Sequence, residues 1–133
     1  LGFNMYFKVG SGENIKFCFA DVIGDAKYDY NVLSNNSVAS FTYKNELIDN
    51  VYEKVLTYPQ DEIFAVTIPG QKKSQIGLVS KSRKQITLLE EYGQITKSFP
   101  LAGTTKFSIS KLFVDGSNAV VTGYDNYVYV YRL

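Results

Sequence analysis

Short segments that alternate apolar and polar residues, separated by polar turns, follow one another along the chain. The clearest example is the last, where two apolar segments between residues 118 and 133 flank a polar turn at 123–126. The second segment places Tyr127, Tyr129 and Tyr131 on one side and Val128 and Val130 on the other. A period of two with β-branched and aromatic residues is typical of a strand. The pattern predicts a closing hairpin whose second strand is packed on both faces.

The same pattern predicts strands along the whole chain, and helical periodicity is nowhere sustained. Turns are marked by glycine, asparagine and proline, because the first two accept a positive φ and the third cannot donate to a strand ladder. The predicted strands lie at 1–9, 15–19, 30–33, 38–43, within 47–56, and at 63–68, 75–79, 85–89, 95–99, 107–109, 119–122 and 127–131.

Corresponding positions recur at a spacing in the forties. Ile15, Ile63 and Phe107 begin equivalent strands at offsets of 48 and 44. A period of this length with about four short strands is typical of a propeller blade, and an ordinary β-sandwich is the alternative. We therefore expect an all-β, β-propeller-like domain of about three blades over residues 1–133. The expected repeats are approximately 10–56, 57–100 and 101–133, with 1–9 as the outer strand of a preceding or closing blade.

The predicted blades are incomplete at both ends of the repeat. Segment 1–9 is an outer strand without its own blade, and the last blade stops at its third strand, 127–131. Closed propellers have about four to eight blades, and an open strand edge favours pairing with another strand. We expect either an open fragment or a homodimer of three blades per chain that completes the propeller, with residues 1–9 completing a blade in their own chain or in a partner chain. The missing initial methionine leads us to expect the C-terminal part of a longer protein.

Composition narrows the chemistry further. Lys and Arg number 14 against 13 Asp and Glu, which gives no electrostatic case for nucleic acid. Histidine is absent and cysteine occurs once, which excludes the usual catalytic triads and the Cys/His zinc sites. We expect Cys18 to be a buried, inert thiol and the domain to have no catalytic activity of its own. No apolar run approaches about 18 residues, so we expect no transmembrane helix.

Three aspartates form the one candidate metal site. Asp21, Asp25 and Asp29 are spaced like positions 1, 5 and 9 of an Asp-rich calcium loop. Ile23 and Ala26 stand where that loop needs an oxygen ligand and a glycine. We expect a structural loop closed by Asx turns, with at most weak calcium binding and no other cofactor.

Eleven tyrosines supply rings that fill the space between sheets or, where exposed, contact partners. Tyr124 stands in a turn beside Asp125 and Asn126, and we predict that these three residues bind a ligand through an exposed Tyr124. The basic residues at 72–73 and 81–84 are predicted to be solvated turns.

Residues 21–48, DVIGDAKYDYNVLSNNSVASFTYKNELI, resemble FG-GAP/VCBS repeats, in which an Asp-rich loop precedes a short apolar strand and a Val/Tyr-rich strand. The stretches ITLLEEYGQITKSFPLAG and AVVTGYDNYVYVYRL are similar to blades of bacterial pyrroloquinoline-quinone-like propellers. The resemblance implies an extracellular or periplasmic location.

Taken with the composition, these patterns lead us to expect a non-enzymatic interaction or scaffolding module that presents blade loops to a protein or glycan. The first alternative is a part of a carbohydrate-processing or quinoprotein-like enzyme whose active site lies elsewhere. The second is a purely structural segment that binds no ligand.

Overall fold

A computed structural model describes residues 14–133, and the predicted strand at 1–9 lies outside this range. The described residues contain no helix, and so none that is long and apolar enough to pass through a lipid bilayer. Their strands are β1 (Lys16–Ala20), β2 (Asp29–Ser34), β3 (Ser37–Lys44), β4 (Leu47–Val55), β5 (Glu62–Thr67), β6 (Ser74–Ser80), β7 (Gln85–Leu89), β8 (Leu101–Ala102), β9 (Phe107–Ser110), β10 (Ala119–Tyr124) and β11 (Tyr127–Arg132).

These strands form three antiparallel sheets, which confirms the prediction of an all-β chain. The first sheet contains β1 to β4, the second β5 to β8 and the third β9 to β11, and within each sheet the strands pair in chain order. The first strands of successive sheets lie side by side, β1 against β5 and β5 against β9. The described residues do not close into a barrel or a ring of blades.

The second sheet is the middle layer and is covered on both faces. One face packs against the first sheet through Ile76, Leu78 and Leu89, each at most 1% exposed. The other packs against the third sheet through Val79, Ile86 and Leu88, which are equally buried. Because both faces are covered, the apolar residues of β6 and β7 rarely alternate with polar ones.

Each end sheet keeps an outward face that no other described sheet covers. On the first sheet Phe17 is 63% exposed and Phe19 52% exposed. On the third sheet Val128 is 73% exposed and Val130 50% exposed. The prediction that the last strand is packed on both faces is therefore wrong. On its tyrosine face Tyr131 packs against the core shared with the second sheet, whereas its valine face is the outermost face of the described sheets.

A row of polar side chains crosses the inner face of the first sheet. Cys18 pairs with Asn31, Asn31 with Ser40, and Ser40 with Tyr52 in the strand register. Asn31 and Ser40 have no exposed surface, and Tyr52 is 8% exposed. The Asn31 amide donates to the backbone carbonyl of Asp29 at 3.2 Å. Shifting β2 by one residue would move Asn31 out of this row to the outward face, so its buried position helps to specify the register.

The predicted strand at 95–99 is also wrong. Residues 90–99 form turns, with hydrogen bonds from Glu90 N to the Gln94 carbonyl and from Phe99 N to the Thr96 carbonyl, and only Ile95 forms a single bridge, to Leu89. The fourth strand of the second sheet is instead the short β8. Beside this bridge the Thr96 N–H donates to the Leu88 carbonyl of β7, so pairing with β7 stops at Thr96, and Phe99 reaches the core from a turn.

We expect Leu78→Ala to lower the free energy of unfolding by about 2–5 kcal/mol, because it opens a cavity between the first and second sheets. Leu112→Ala is the matched control, since Leu112 is 58% exposed and its loss is expected to change stability by about 0.5 kcal/mol or less. Urea unfolding of both variants measures the difference. Equal effects would contradict the middle position of the second sheet.

Candidate functional site

Strands of alternating direction place the connections at two ends of the sheet stack. We call one the long-loop end, with the connections 21–28, 68–73 and 111–118. We call the other the turn end, with the hairpin turns at 35–36, 81–84 and 125–126. The Ser74 N–H donates to the Asp21 carbonyl at the first end, and Lys84 pairs with Asp125 at the second. The two predicted sites therefore lie at opposite ends.

At the long-loop end, Asp21 closes its own loop. Its Oδ1 accepts the N–H groups of Gly24 at 2.7 Å and Asp25 at 3.1 Å, and its Oδ2 accepts that of Ala26 at 2.8 Å. The Asp25 Oδ1 accepts the Lys27 N–H at 3.0 Å. Backbone donors aimed at a carboxylate surround it with partial positive charge, which opposes a cation at the same oxygens.

Asp29 lies beneath this loop and has no exposed surface. Its Oδ2 accepts the Val22 N–H at 3.0 Å, so it ties the start of the loop to β2. Burial raises the pKa of Asp29, and the hydrogen bond from Val22 acts in the opposite direction. Among residues 14–133 no three Asp, Glu, Cys or His side chains are grouped closely enough to hold a metal ion. Asp21, Asp25 and Asp29 thus each bond to backbone of the same loop.

At the turn end, Tyr124 is held rather than free. Its ring stacks on that of Tyr129 with centroids 4.8 Å apart and planes within 3°. Tyr124 is half-buried, so the prediction of an exposed side chain is wrong in degree, whereas Asp125 and Asn126 are exposed. Asp125 has a φ of 53°, and its N–H donates to Thr104 Oγ1 at 2.9 Å. These bonds hold the turn against the connection between β8 and β9.

Cations from the second sheet complete this surface. Lys84 Nζ lies 2.9 Å from Asp125 Oδ2 and 5.4 Å from the centroid of the Tyr124 ring. The hydrogen bond to Asp125 raises the pKa of Lys84. The Arg83 guanidinium lies 4.0 Å over the ring of Tyr58. We call this set the turn-end surface, made of Tyr58, Arg83, Lys84, Tyr124, Asp125 and Asn126.

A groove of about 410 Å³ lies within the turn-end surface, between the second and third sheets. Arg83, Lys84 and Tyr124 line it together with Pro100 and Leu101. The sequence predicts a solvated turn for the two cations and does not reveal the position of Lys84 beside Tyr124. The positions of the turns could have indicated this proximity. Turns 81–84 and 125–126 each join the middle two strands of a predicted repeat, and these two repeats are successive.

The other candidate reactive side chains are Cys18, Asp61 and Glu91, and each is partly buried or bonded to another residue. The Cys18 side chain is half-buried in the first core, and burial raises its pKa to about 11, which keeps the thiol protonated at neutral pH. Asp61 Oδ2 accepts the Lys81 N–H at 2.6 Å, and Glu91 forms an ion pair with Lys73. Lys73 and Lys84 lie at opposite ends of the stack, so the basic residues form no single patch.

No protein-family model, curated protein or solved structure matches the chain. The comparisons therefore identify no repeat family, and the resemblance to FG-GAP/VCBS and quinone-type blades stays a prediction.

We expect calcium to bind weakly, if at all, at Asp21, Asp25 and Asp29, because Asp21 already accepts three backbone donors. Calorimetric titration with calcium chloride measures this directly. Micromolar affinity that Asp25→Ala abolishes would contradict the structural role of the loop.

Burial of Asp29 predicts a pH-dependent difference in stability between the wild type and Asp29→Asn. Its folded-state pKa is raised, so the cost of burying the charged carboxylate is present above that pKa and disappears as the pH falls through it. Asparagine keeps an acceptor for the Val22 N–H but carries no charge. We expect the wild type to gain stability relative to Asp29→Asn between pH 7 and about pH 4. Urea unfolding at both pH values tests this, and a gap that does not change with pH would contradict it.

Proposed function

We propose that the chain is a non-enzymatic interaction module, built from propeller-like blades, that binds a protein or glycan partner at the turn-end surface. Support for the blades comes from the arrangement of the sheets. Each sheet pairs its strands in chain order, the sheets stack face to face, and their first strands lie side by side. On the resemblance of the sequence alone, the proposal extends to an extracellular or periplasmic location.

One observation carries the binding proposal, namely the Tyr124–Tyr129 stack held beside the Lys84–Asp125 pair. Tyrosine and arginine are enriched among the residues that dominate binding energy at interfaces. Rings and charges that are already fixed lose little conformational entropy when a partner arrives. The groove beside Tyr124 gives such a partner an entry between two sheets.

The chemistry of this surface suits either partner class. A tyrosine face packs on the apolar side of a sugar ring or of a peptide side chain, while its hydroxyl remains available for hydrogen bonds. Lys84 and Arg83 add donors, and the exposed Asp125 and Asn126 add acceptors next to them. Nothing in this arrangement requires a reaction, and we expect no turnover of glycoside, ester or redox-dye substrates by the isolated chain.

Tyr124→Ala is expected to weaken partner binding by about 30-fold, the effect of losing about 2 kcal/mol at a central interface residue. A glycan array and a displayed peptide library serve as probes of the two partner classes, followed by titration of each binder that is found. Tyr124→Phe, which keeps the stacked ring, is expected to retain most of the affinity.

Tyr92→Ala is the matched control, since Tyr92 is a 59% exposed tyrosine outside the turn-end surface. Its loss is expected to leave the affinity unchanged. Binders that tolerate Tyr124→Ala, or the absence of any binder in both libraries, would argue against the proposal. Turnover that a single substitution abolishes would favour the enzyme alternative.

A further inference from the structure

A second opening lies at the turn end, between the first and second sheets. It has a volume of about 570 Å³, and its lining includes Lys16, Asn35, Gln60 and Asp61. We call it the turn-end cavity. The groove of about 410 Å³ beside Tyr124 lies between the second and third sheets. At this end, the second sheet therefore has an opening on each of its two sides.

A stacked pair, Tyr58 and Arg83, links the rims of these two openings. Tyr58 directly precedes Pro59 and Gln60, two residues of the cavity lining, whereas Arg83 lines the groove. The Arg83 guanidinium lies 4.0 Å from the centroid of the Tyr58 ring. A ligand that enters both openings therefore passes beside this guanidinium.

The charges at the two openings are unbalanced. Among the described residues that line them, three are cations and one is a carboxylate, namely Lys16, Arg83, Lys84 and Asp61. Asp61 Oδ2 already accepts the Lys81 N–H at 2.6 Å. Lys84 is paired with Asp125, but Lys16 Nζ donates only to the backbone carbonyl of Asp61. An excess of positive charge therefore remains at the openings.

Arg83 is the cation best placed to bind an anion. Within residues 14–133 no carboxylate lies within ion-pair distance of its guanidinium. The N–H groups of a guanidinium lie in its plane, so stacking on Tyr58 leaves them able to bind both oxygens of a carboxylate. The stack also holds the side chain in place, which lowers the conformational entropy lost on binding.

The aromatic rings at these openings favour a peptide over a sugar. A sugar ring packs on an open tyrosine face, but Tyr129 already covers one face of the Tyr124 ring. Arg83 likewise covers one face of the Tyr58 ring. The groove also presents the exposed Pro100, which suits an aliphatic side chain of a peptide beside its acidic residue.

We infer that the turn-end surface takes an acidic peptide segment of another protein. The carboxylate of an Asp or Glu side chain of that segment pairs with the Arg83 guanidinium, and the residues on either side of it occupy the turn-end cavity and the groove. This inference rests on the proposed binding function of the same surface, and it selects the protein partner rather than the glycan.

Selection from a displayed library of random linear peptides against the full chain tests the charge requirement. We expect the selected peptides to be enriched in Asp and Glu. Synthetic versions with Gln for Glu and Asn for Asp are expected to bind about 10-fold more weakly, because they lose a charge-assisted hydrogen bond. Raising the salt from about 0.05 M to about 0.5 M is expected to weaken the acidic peptides, since the charges are exposed.

Substitution of Arg83 locates the acidic side chain. Arg83→Gln is expected to weaken binding of the acidic peptides by about 10-fold, and Arg83→Lys by less, because lysine keeps the charge but not the planar fork. Lys111→Gln is the matched control, since it removes the same charge from an exposed residue of the long-loop end, and it is expected to leave the affinity unchanged. Melting temperatures equal to that of the wild type are expected for all three variants.

Neutral or basic peptides among the selected binders, acidic peptides that tolerate Arg83→Gln, an equal loss with Lys111→Gln, or binding by glycans alone would each overturn the inference. Neutral peptides or glycans whose binding Tyr124→Ala weakens would still support the proposed function. Absence of any binder in both the peptide library and the glycan array would overturn the inference and the proposed function together.

Discussion

Burial of the second sheet on both faces is the constraint on which the rest of the structure depends. Leu78 and Val79 are neighbours in β6, and each has no exposed surface, yet they belong to different cores. Each outer sheet buries one face, and in both cases it buries that face against the second sheet. The turns at either end of the stack take their positions from this layered core.

The candidate site follows from the same layering. Lys84 comes from a turn of the second sheet and Asp125 from a turn of the third, and packing of the two sheets brings the turns together. Tyr124 points towards the second sheet with the other inward residues of β10, which is why its ring stacks on Tyr129 and is half-buried. The site is thus a seam between sheets rather than a single loop.

Most strands were predictable because their patterns are local. The hairpin of β10 and β11 and the strands β6 and β7 follow directly from alternating or continuous apolar residues. The strand predicted at 95–99 was wrong because Ile95 and Phe99 alternate as in a strand. Turn hydrogen bonds and the burial of Phe99 determine the conformation of this segment instead. Alternation also cannot tell how many faces of a sheet are covered, so the exposure of Val128 was missed.

Local chemistry was likewise easier to predict than contacts between distant residues. The Asx bonds of Asp21 span three to five residues and follow from the loop sequence. Contact between Lys84 and Asp125 joins residues 41 positions apart, and no local pattern contains it. The burial of Asp29 could not be predicted for the same reason, since it results from the packing of the first sheet rather than from neighbouring residues in the sequence.

The layered arrangement also has a consequence for motion. Amide protons in β6 and β7 lie in the sheet that is shielded on both faces, so their exchange with solvent requires the whole stack to open. Separation of the first or third sheet alone exposes only one of the two cores and leaves the other intact. We therefore expect two distinct partly open forms, each displaying one face of the second sheet. The contacts that hold an end sheet in place decide which form is more populated.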